Sequence, residues 1–363
     1  MSLYSSVVRP LLFAPSPAAA HALAMTALAP VEHLAPVRAM VRAALGAPRD
    51  PRIAVRALGL EFPSPVGLAG GFDKNAHRPR ALAALGFGHL ELGTVTALPQ
   101  AANPAPNLFR LPADRALINR LGFPNEGAAV VAARVARVRG EIGVPVALSI
   151  GKSRAVPADD VAAVVADYCA SFDAVHPVAD FVVVNVSSPN TTGLRSMQAR
   201  EQASALLSAL AGRGDPARIL VKIAPDLEDA QLDDVLGVAV EVGLAGVVAT
   251  NTTIARRGLS TDAAAVAALG AGGLSGPPLR ARAIAFVSAA RRKLGPEKVV
   301  IGVGGVEEAS HALDLVRAGA NLVQLYTGFV YGGPGTPGRI ARGLSAAVER
   351  EGKASIEQMV GRA

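Results

Sequence analysis

From Pro65 onward the chain alternates short apolar runs with longer segments whose apolar residues recur every three to four positions. The short runs predict strands at Val66–Ala69, His89–Leu92, Val144–Ser149, Phe181–Asn185, Ile219–Ile223, Gly246–Thr250, Val299–Val303 and Leu322–Leu325. Each is followed by a helical pattern, such as Leu227 to Val242 with acids at its start, or Glu307 to Ala318. Near-continuous Val, Ile and Leu in short strands suits a parallel sheet covered on both faces. Eight β/α units predict an α/β fold, the (β/α)8 or TIM barrel, with a doubly wound sheet as the alternative. The segment from Thr96 to Gly127 is too long for a simple βα connection and predicts an excursion over the barrel mouth.

Before Pro48 the texture differs, which divides the chain into a helical extension, residues 1–47, and a barrel domain, residues 48–363. From Ala18 to Leu45 the extension is rich in Ala, Leu, Met and Val, broken by Pro30 and Pro36. Two short amphipathic helices resting in a membrane interface explain this pattern, as does an ordinary helical cap on the barrel. No apolar run reaches the roughly 18 residues that span a bilayer. In the whole chain of 363 residues, 36 basic against 29 acidic groups give a formal charge of +7, which favours anionic partners such as acidic lipid or a phosphorylated ligand. Nucleic acid is not expected, because there is no Trp and aromatics are only 4%. The single cysteine, Cys169, lies in a helical pattern and reads as a buried thiol; the scattered histidines make no metal site.

In such a barrel, chemistry sits at the C-terminal ends of the strands. The unusual polar residues of this sequence fall there: Ala69-Gly-Gly-Phe-Asp-Lys74, Gly93-Thr-Val-Thr96, Asn185-Val-Ser-Ser-Pro-Asn190, Thr250-Asn-Thr-Thr253, Gly302-Val-Gly-Gly305 and Tyr326-Thr-Gly328. Lys222 stands inside an apolar strand, where an unpaired ammonium is costly, so it is expected to point into the mouth toward an anion. The glycines after the last two strands, with Thr327 and Gly276, suit the phosphate of a cofactor.

Taken in order, these motifs resemble the dihydroorotate dehydrogenases, specifically the quinone-dependent, membrane-associated type. The resemblance runs from Arg9 to Gly338 and adds Leu108-Phe-Arg-Leu111, Ile118-Asn-Arg-Leu-Gly-Phe123, Val221-Lys-Ile-Ala-Pro-Asp226 and Gly272-Gly-Leu-Ser-Gly276 to the strand-end motifs. It implies oxidation of dihydroorotate to orotate in pyrimidine biosynthesis, with FMN as hydride acceptor and a membrane quinone as final acceptor. The resemblance makes Ser188 the base at C5, with a proton relay past Thr191 and Phe123. It implies that substrate is held by Lys74, Asn119, Arg120, Leu121, Gly122, Phe123, Asn185, Asn190, Asn251 and Thr252. For FMN it implies Ala69, Gly70, Lys74, Thr94, Ser149, Asn185, Lys222, Thr250, Gly276, Gly305, Tyr326 and Thr327. Arg9-Pro-Leu-Leu-Phe13 and Ala19-Ala-His-Ala22 are similar to the two-helix extension that forms a quinone tunnel, so His21, Arg110 and Tyr326 are expected along the quinone path. It also implies a monomer, peripheral on the cytoplasmic face of a bacterial inner membrane and in contact with acidic lipid.

The sequence departs from the family pattern at three places. Ser149 and Ser153 stand where Asn is usual, which takes a contact away from the flavin. Phe123-Pro-Asn125 replaces Phe-Asn-Asn and predicts a stiffer loop, and Asn107 replaces an Arg before Leu108. The competing readings are another FMN-dependent barrel oxidoreductase, of the types that carry Cys where this chain has Ser188, and a flavin-free phosphate-binding barrel enzyme. A non-enzymatic membrane-surface protein leaves Lys222 unexplained.

Overall fold

A computed structural model describes residues 4–362. Eight parallel strands close into a barrel: β1 (Val66–Leu68), β2 (His89–Val95), β3 (Val146–Ile150), β4 (Phe181–Asn185), β5 (Ile219–Ile223), β6 (Gly246–Ala249), β7 (Val299–Val303) and β8 (Leu322–Leu325). Their spatial order is their chain order, with β8 pairing β1. All eight strands expected from the sequence are present. The largest difference is at β2, which continues past Leu92 to Val95, because its last residues pair with Ser149 and Ile150 of β3. The helix expected from Leu227 runs Asp229–Glu241, and starts where a capping box joins Glu228 and Gln231.

Helices between the strands cover the outside and bury one continuous apolar core. Cys169 is buried in the helix Val161–Val175, as expected for a core thiol. The hairpin Val55–Ala57 with Leu60–Phe62 lies across the N-terminal end of the barrel. There the Phe62 ring meets the His89 ring at 5.6 Å and the Phe181 ring at 6.3 Å. Burial pushes His89 down to about 3, so this imidazole is neutral at ordinary pH. With that end filled, the opposite end is left for chemistry.

The excursion after β2 takes the form expected of a functional loop. Leu108–Leu111 and Ala116–Asn119 pair antiparallel, and Gly273–Ser275 from the loop after β6 adds a third strand.

The N-terminal extension departs from two amphipathic helices. After a π-helical turn, Tyr4–Val8, it forms α1 (Arg9–Phe13), α2 (Pro17–Ala27), α3 (Ala29–His33) and α4 (Ala35–Leu45). Proline stands in the first turn of each, where its missing N–H costs nothing, so each of the four opens at a proline. Amphipathic patterning holds for α4, whereas α2 carries no Asp, Glu, Lys or Arg. The extension is fixed to the barrel through buried Glu32. Its carboxylate accepts from Arg80 Nε at 2.9 Å and from the backbone N–H of Ala81 at 2.9 Å, in the first turn of the helix Pro79–Ala84.

Barrel closure leaves little room at the start of β6. Gly246 has φ 156°, and a Cβ there would lie 1.8 Å from the carbonyl oxygen of Val299. Gly246→Ala is expected to destabilise the fold by about 2 kcal/mol or more, by forcing β6 and β7 apart. Calorimetry reads this as a midpoint lowered by several degrees, and an unchanged midpoint contradicts it.

Candidate active site

The C-terminal mouth holds a cavity of about 1060 Å³, its open side included. Most of the residues named from sequence line it. They are Ala69, Gly70 and Lys74 after β1, Thr94 on β2, Asn119, Leu121, Gly122 and Phe123 of the excursion, Asn185, Ser188 and Asn190 at β4, and Lys222 on β5. Thr250, Asn251 and Thr252 follow β6, with Gly276 beyond them, Gly305 after β7, and Tyr326 and Thr327 after β8. Residues distant in the chain meet here because each ends a strand of the same closed sheet.

At the floor of the cavity, Lys222 Nζ donates to Glu91 Oε1 at 2.9 Å, and both side chains are almost wholly buried. The sequence reading expected Lys222 to face an anion, and that anion is a carboxylate of the protein itself. Glu91 was overlooked as a site residue. The signal was available: a charge buried in one strand calls for an opposite charge in another.

Beside this pair runs a chain of neutral polar groups. Asn185 Nδ2 donates to Thr94 Oγ1 at 2.9 Å, and Thr94 Oγ1 shares a hydrogen bond with Ser149 Oγ at 2.9 Å. The short Ser149 side chain ends at Thr94 and lies outside the cavity lining. Tyr168 donates to the carbonyl of Asn185 at 2.8 Å, and so fixes the end of β4 from behind.

A cluster of side-chain amides faces the excursion. Asn190 Nδ2 donates to Asn119 Oδ1 at 3.0 Å, and Asn251 Nδ2 donates to Ser187 Oγ at 2.9 Å. Ser188 Oγ accepts the backbone N–H of Asn190 at 3.2 Å, which leaves its own proton free to be donated. Thr252 Oγ1 and Thr191 Oγ1 are buried without a protein partner. Lys74 donates to the carbonyl of Gly71 at 2.5 Å, and burial, opposed by the Asp73 charge, brings its ammonium down to about 8. Phe123 holds φ 55°, and Asn125 ties that loop down by accepting from Thr96 N and Gly127 N and by donating to Thr96 Oγ1.

The far wall is built from glycine turns. Gly276 has φ 104°, and a Cβ there would lie 2.8 Å from the carbonyl of Arg115; one on Gly305, at φ 70°, would lie 2.7 Å from the Cβ of Arg280. Thr327 shares a hydrogen bond with Ser275 at 2.8 Å beside them.

Four further named residues stand apart from the lining. Thr191, three positions after Ser188, has its buried hydroxyl outside the lining. The Arg120 guanidinium donates away from the cavity, to the carbonyls of Pro106, Leu269 and Ala271, and stacks on Phe109. Arg110 donates to the carbonyls of Leu12, Phe13 and Pro15, which closes the end of α1, and lies 4.4 Å over the Phe13 ring. His21 lines a separate pocket with Met25, Phe72 and Arg78. Its ring meets Phe72 at 5.1 Å, and Phe72 meets Tyr326 at 5.6 Å, so a row of rings joins α2 to the cavity. Burial, helped by the Lys74 charge, brings His21 down to about 4.

Arg195 was also overlooked, because a lone arginine in a polar loop carries no signal in sequence. Its guanidinium donates to the Ser187 carbonyl at 3.1 Å, to Asp226 at 2.9 Å and to the Thr252 carbonyl at 3.1 Å. Three strand-end loops are thus tied together beside Ser188. Charge-assisted bonds of this kind contribute about 1.5–3 kcal/mol. Arg195→Ala is expected to speed limited proteolysis within residues 187–199 by about tenfold or more, through easier local opening. An unchanged cleavage rate contradicts this role.

The chain matches the dihydroorotate dehydrogenase family model over residues 52–348. It is 49% identical over 99% of its length to a relative from Thermobifida fusca named dihydroorotate dehydrogenase (quinone), covering 96% of that protein. Relatives with the same name from Rhodococcus erythropolis and Mycobacterium tuberculosis are 50% and 48% identical, over 97% and 98% of both chains. Among solved structures, an Eimeria tenella DHODH in complex with ferulenol superposes with a TM-score of 0.83 at 33% identity, over 96% of both chains. The order of motifs, the closed barrel and the polar mouth thus agree with full-length relatives, and the chain belongs to the dihydroorotate dehydrogenase family.

Proposed function

We propose that this protein oxidises dihydroorotate to orotate, with FMN as the hydride acceptor and a membrane quinone as the final electron acceptor, in pyrimidine biosynthesis. The observation that carries this reading is the convergence of Ser188 and the amides of Asn119, Asn190 and Asn251 on one cavity with Lys222 and the glycine turns.

The residues present fit FMN. A flat polar ring system needs hydrogen-bonding groups at its edge and small residues against its face; Thr94, Asn185 and Lys222 supply the first, Ala69 and Gly70 the second. The phosphate end has the backbone of Gly276 and Gly305 with the Thr327 hydroxyl, where added side chains would collide with the wall. Thr250 and Tyr326 complete the set. When bound, FMN supplies a two-electron acceptor for the hydride at C6 of dihydroorotate and passes the electrons onward.

The protein's own groups position the substrate and move the proton. Asn119, Asn190, Asn251 and Thr252 line the cavity with neutral donors and acceptors that match a planar ring of amides. Lys74 supplies positive charge for the substrate carboxylate, and Asn185 reaches both ligands. Leu121, Gly122 and Phe123 line the cavity on the side of the excursion and would shield a bound ring from water. Ser188 takes the C5 proton. A serine is a poor base and must give up its own hydroxyl proton as it takes the one from C5, and the buried hydroxyl of Thr191, with Phe123 beside the path, provides the route by which that proton leaves. Arg120 acts on the substrate through the backbone it fixes.

On the quinone side, the rings of His21, Phe72 and Tyr326 set the direction between the extension and the cavity, and Arg110 fixes the end of α1 through its carbonyls. The outer surface of the extension carries exposed Val7, Leu11, Leu23, Leu34 and Met40 together with exposed Arg42. That mixture suits a monomer resting on an acidic leaflet, at the cytoplasmic face of a bacterial inner membrane. Among the described residues no helix is long and apolar enough to cross a membrane. Residues 1–47 form the quinone-access and membrane segment, and residues 48–363 the catalytic barrel.

Two expected outcomes test this reading. Ser188→Ala slows flavin reduction by dihydroorotate at least about a hundredfold in stopped flow while orotate still binds, because it removes the base and little contact surface. Equal reduction rates remove Ser188 from that role. A chain lacking residues 1–27 keeps Glu32 and its barrel contacts, so flavin reduction persists while reoxidation by quinone is lost; parallel loss of both steps makes the segment structural only.

A further inference from the structure

The buried pair at the cavity floor presents a problem that the proposed mechanism does not solve. Lys222 Nζ and Glu91 Oε1 lie 2.9 Å apart, with side-chain exposures of 6% and 0%. The second carboxylate oxygen of Glu91 is buried and has no partner. A half-satisfied buried carboxylate is costly, and an apolar residue in its place is often neutral or stabilising when the partner charge is removed with it. Packing therefore gives no reason for Glu91.

Its position does. A Cβ on Gly70 would lie 2.3 Å from Glu91 Oε1, so the carboxylate reaches directly beneath the backbone of a residue that lines the cavity. Lys222 lines the same cavity, and Glu91 does not. The ammonium has three donors. One is held by Glu91 from below, which anchors the group and leaves the others toward the cavity.

We infer that Glu91 is a positioning residue that holds Lys222 at the flavin end of the cavity and offsets its charge, so that the flavin experiences a fraction of the lysine's field. This rests on the FMN reading given above. In a buried site a carboxylate directly behind an ammonium cancels much of its effect on a third group. Without the carboxylate, the charge of Lys222 acts on the flavin in full and favours any bound species that places negative charge on its pyrimidine ring.

Sulfite is a suitable probe, because it adds to oxidised flavin as an anion and bleaches its absorbance. In the FMN-loaded enzyme, Glu91→Gln is expected to tighten sulfite binding at least tenfold at fixed pH. A matching tenfold change for a two-electron couple raises the midpoint potential by about 30 mV. Glu91→Asp, which keeps the carboxylate, restores wild-type sulfite affinity to within about threefold. In a Lys222→Met background, Glu91→Gln tightens sulfite binding by clearly less than in the wild type, because the carboxylate's own field is then lost but no longer its hold on the ammonium. Sulfite affinity that is unchanged or weaker in Glu91→Gln overturns the inference, as does an equal effect in the Lys222→Met background. If Glu91→Gln yields no loaded protein, the double variant Glu91→Leu with Lys222→Met decides: recovered folded protein supports the pairing, and failure of both overturns it. Purified wild-type protein without a flavin spectrum, and not reconstituted by FMN, counts against the proposed function instead.

Discussion

Closure of eight parallel strands on themselves is the constraint from which the other features follow. A closed sheet satisfies all its backbone groups and leaves two ends. The end at the strand starts is filled by Phe62, His89 and Phe181, and the neutral imidazole of His89 is accommodated because residue 67 on the adjacent strand is glycine. Only the other end is open. Every strand delivers its last residue there, so a polar residue at a strand end has no choice but to face the mouth or its rim.

The mouth divides its work by chemistry. Charge is confined to the floor and one wall, where Lys222 pairs with Glu91 and Lys74 lies near Asp73. Recognition is left to amides and hydroxyls, which discriminate by matching donors to acceptors rather than by attraction alone. These side chains are held by one another and by groups behind them, among them Tyr168, Ser149 and Arg195. The loop bearing Ser188 is thereby fixed by bonds within itself and by bonds that run sideways to the loops after β5 and β6.

The N-terminal extension follows a different logic. Its helices are short because proline interrupts them, and their stability comes from the surface on which they lie. Glu32 serves the extension and the barrel at once, since it closes the start of the helix Pro79–Ala84 and binds Arg80. Arg110 does the equivalent for α1 from the excursion strand. These ties hold the extension on the barrel, where His21 of α2 begins the row of rings that leads to Tyr326.

By itself the sequence determined the barrel, its eight strands and most of the cavity lining. Strand period and strand-end polarity are local properties, and a parallel barrel turns them directly into position. Ordered motifs likewise identified the family before any geometry was known. Tertiary structure decided what depends on contacts between distant segments. It chose Glu91 as the partner of Lys222, across 131 positions of chain, and directed Arg120 and Arg110 onto backbone carbonyls. It also made Arg195 a tie among three loops, and broke the extension into more helices than its composition suggested. A side chain's type limits what it can bind, but which partner comes within 3 Å is settled only when the barrel closes.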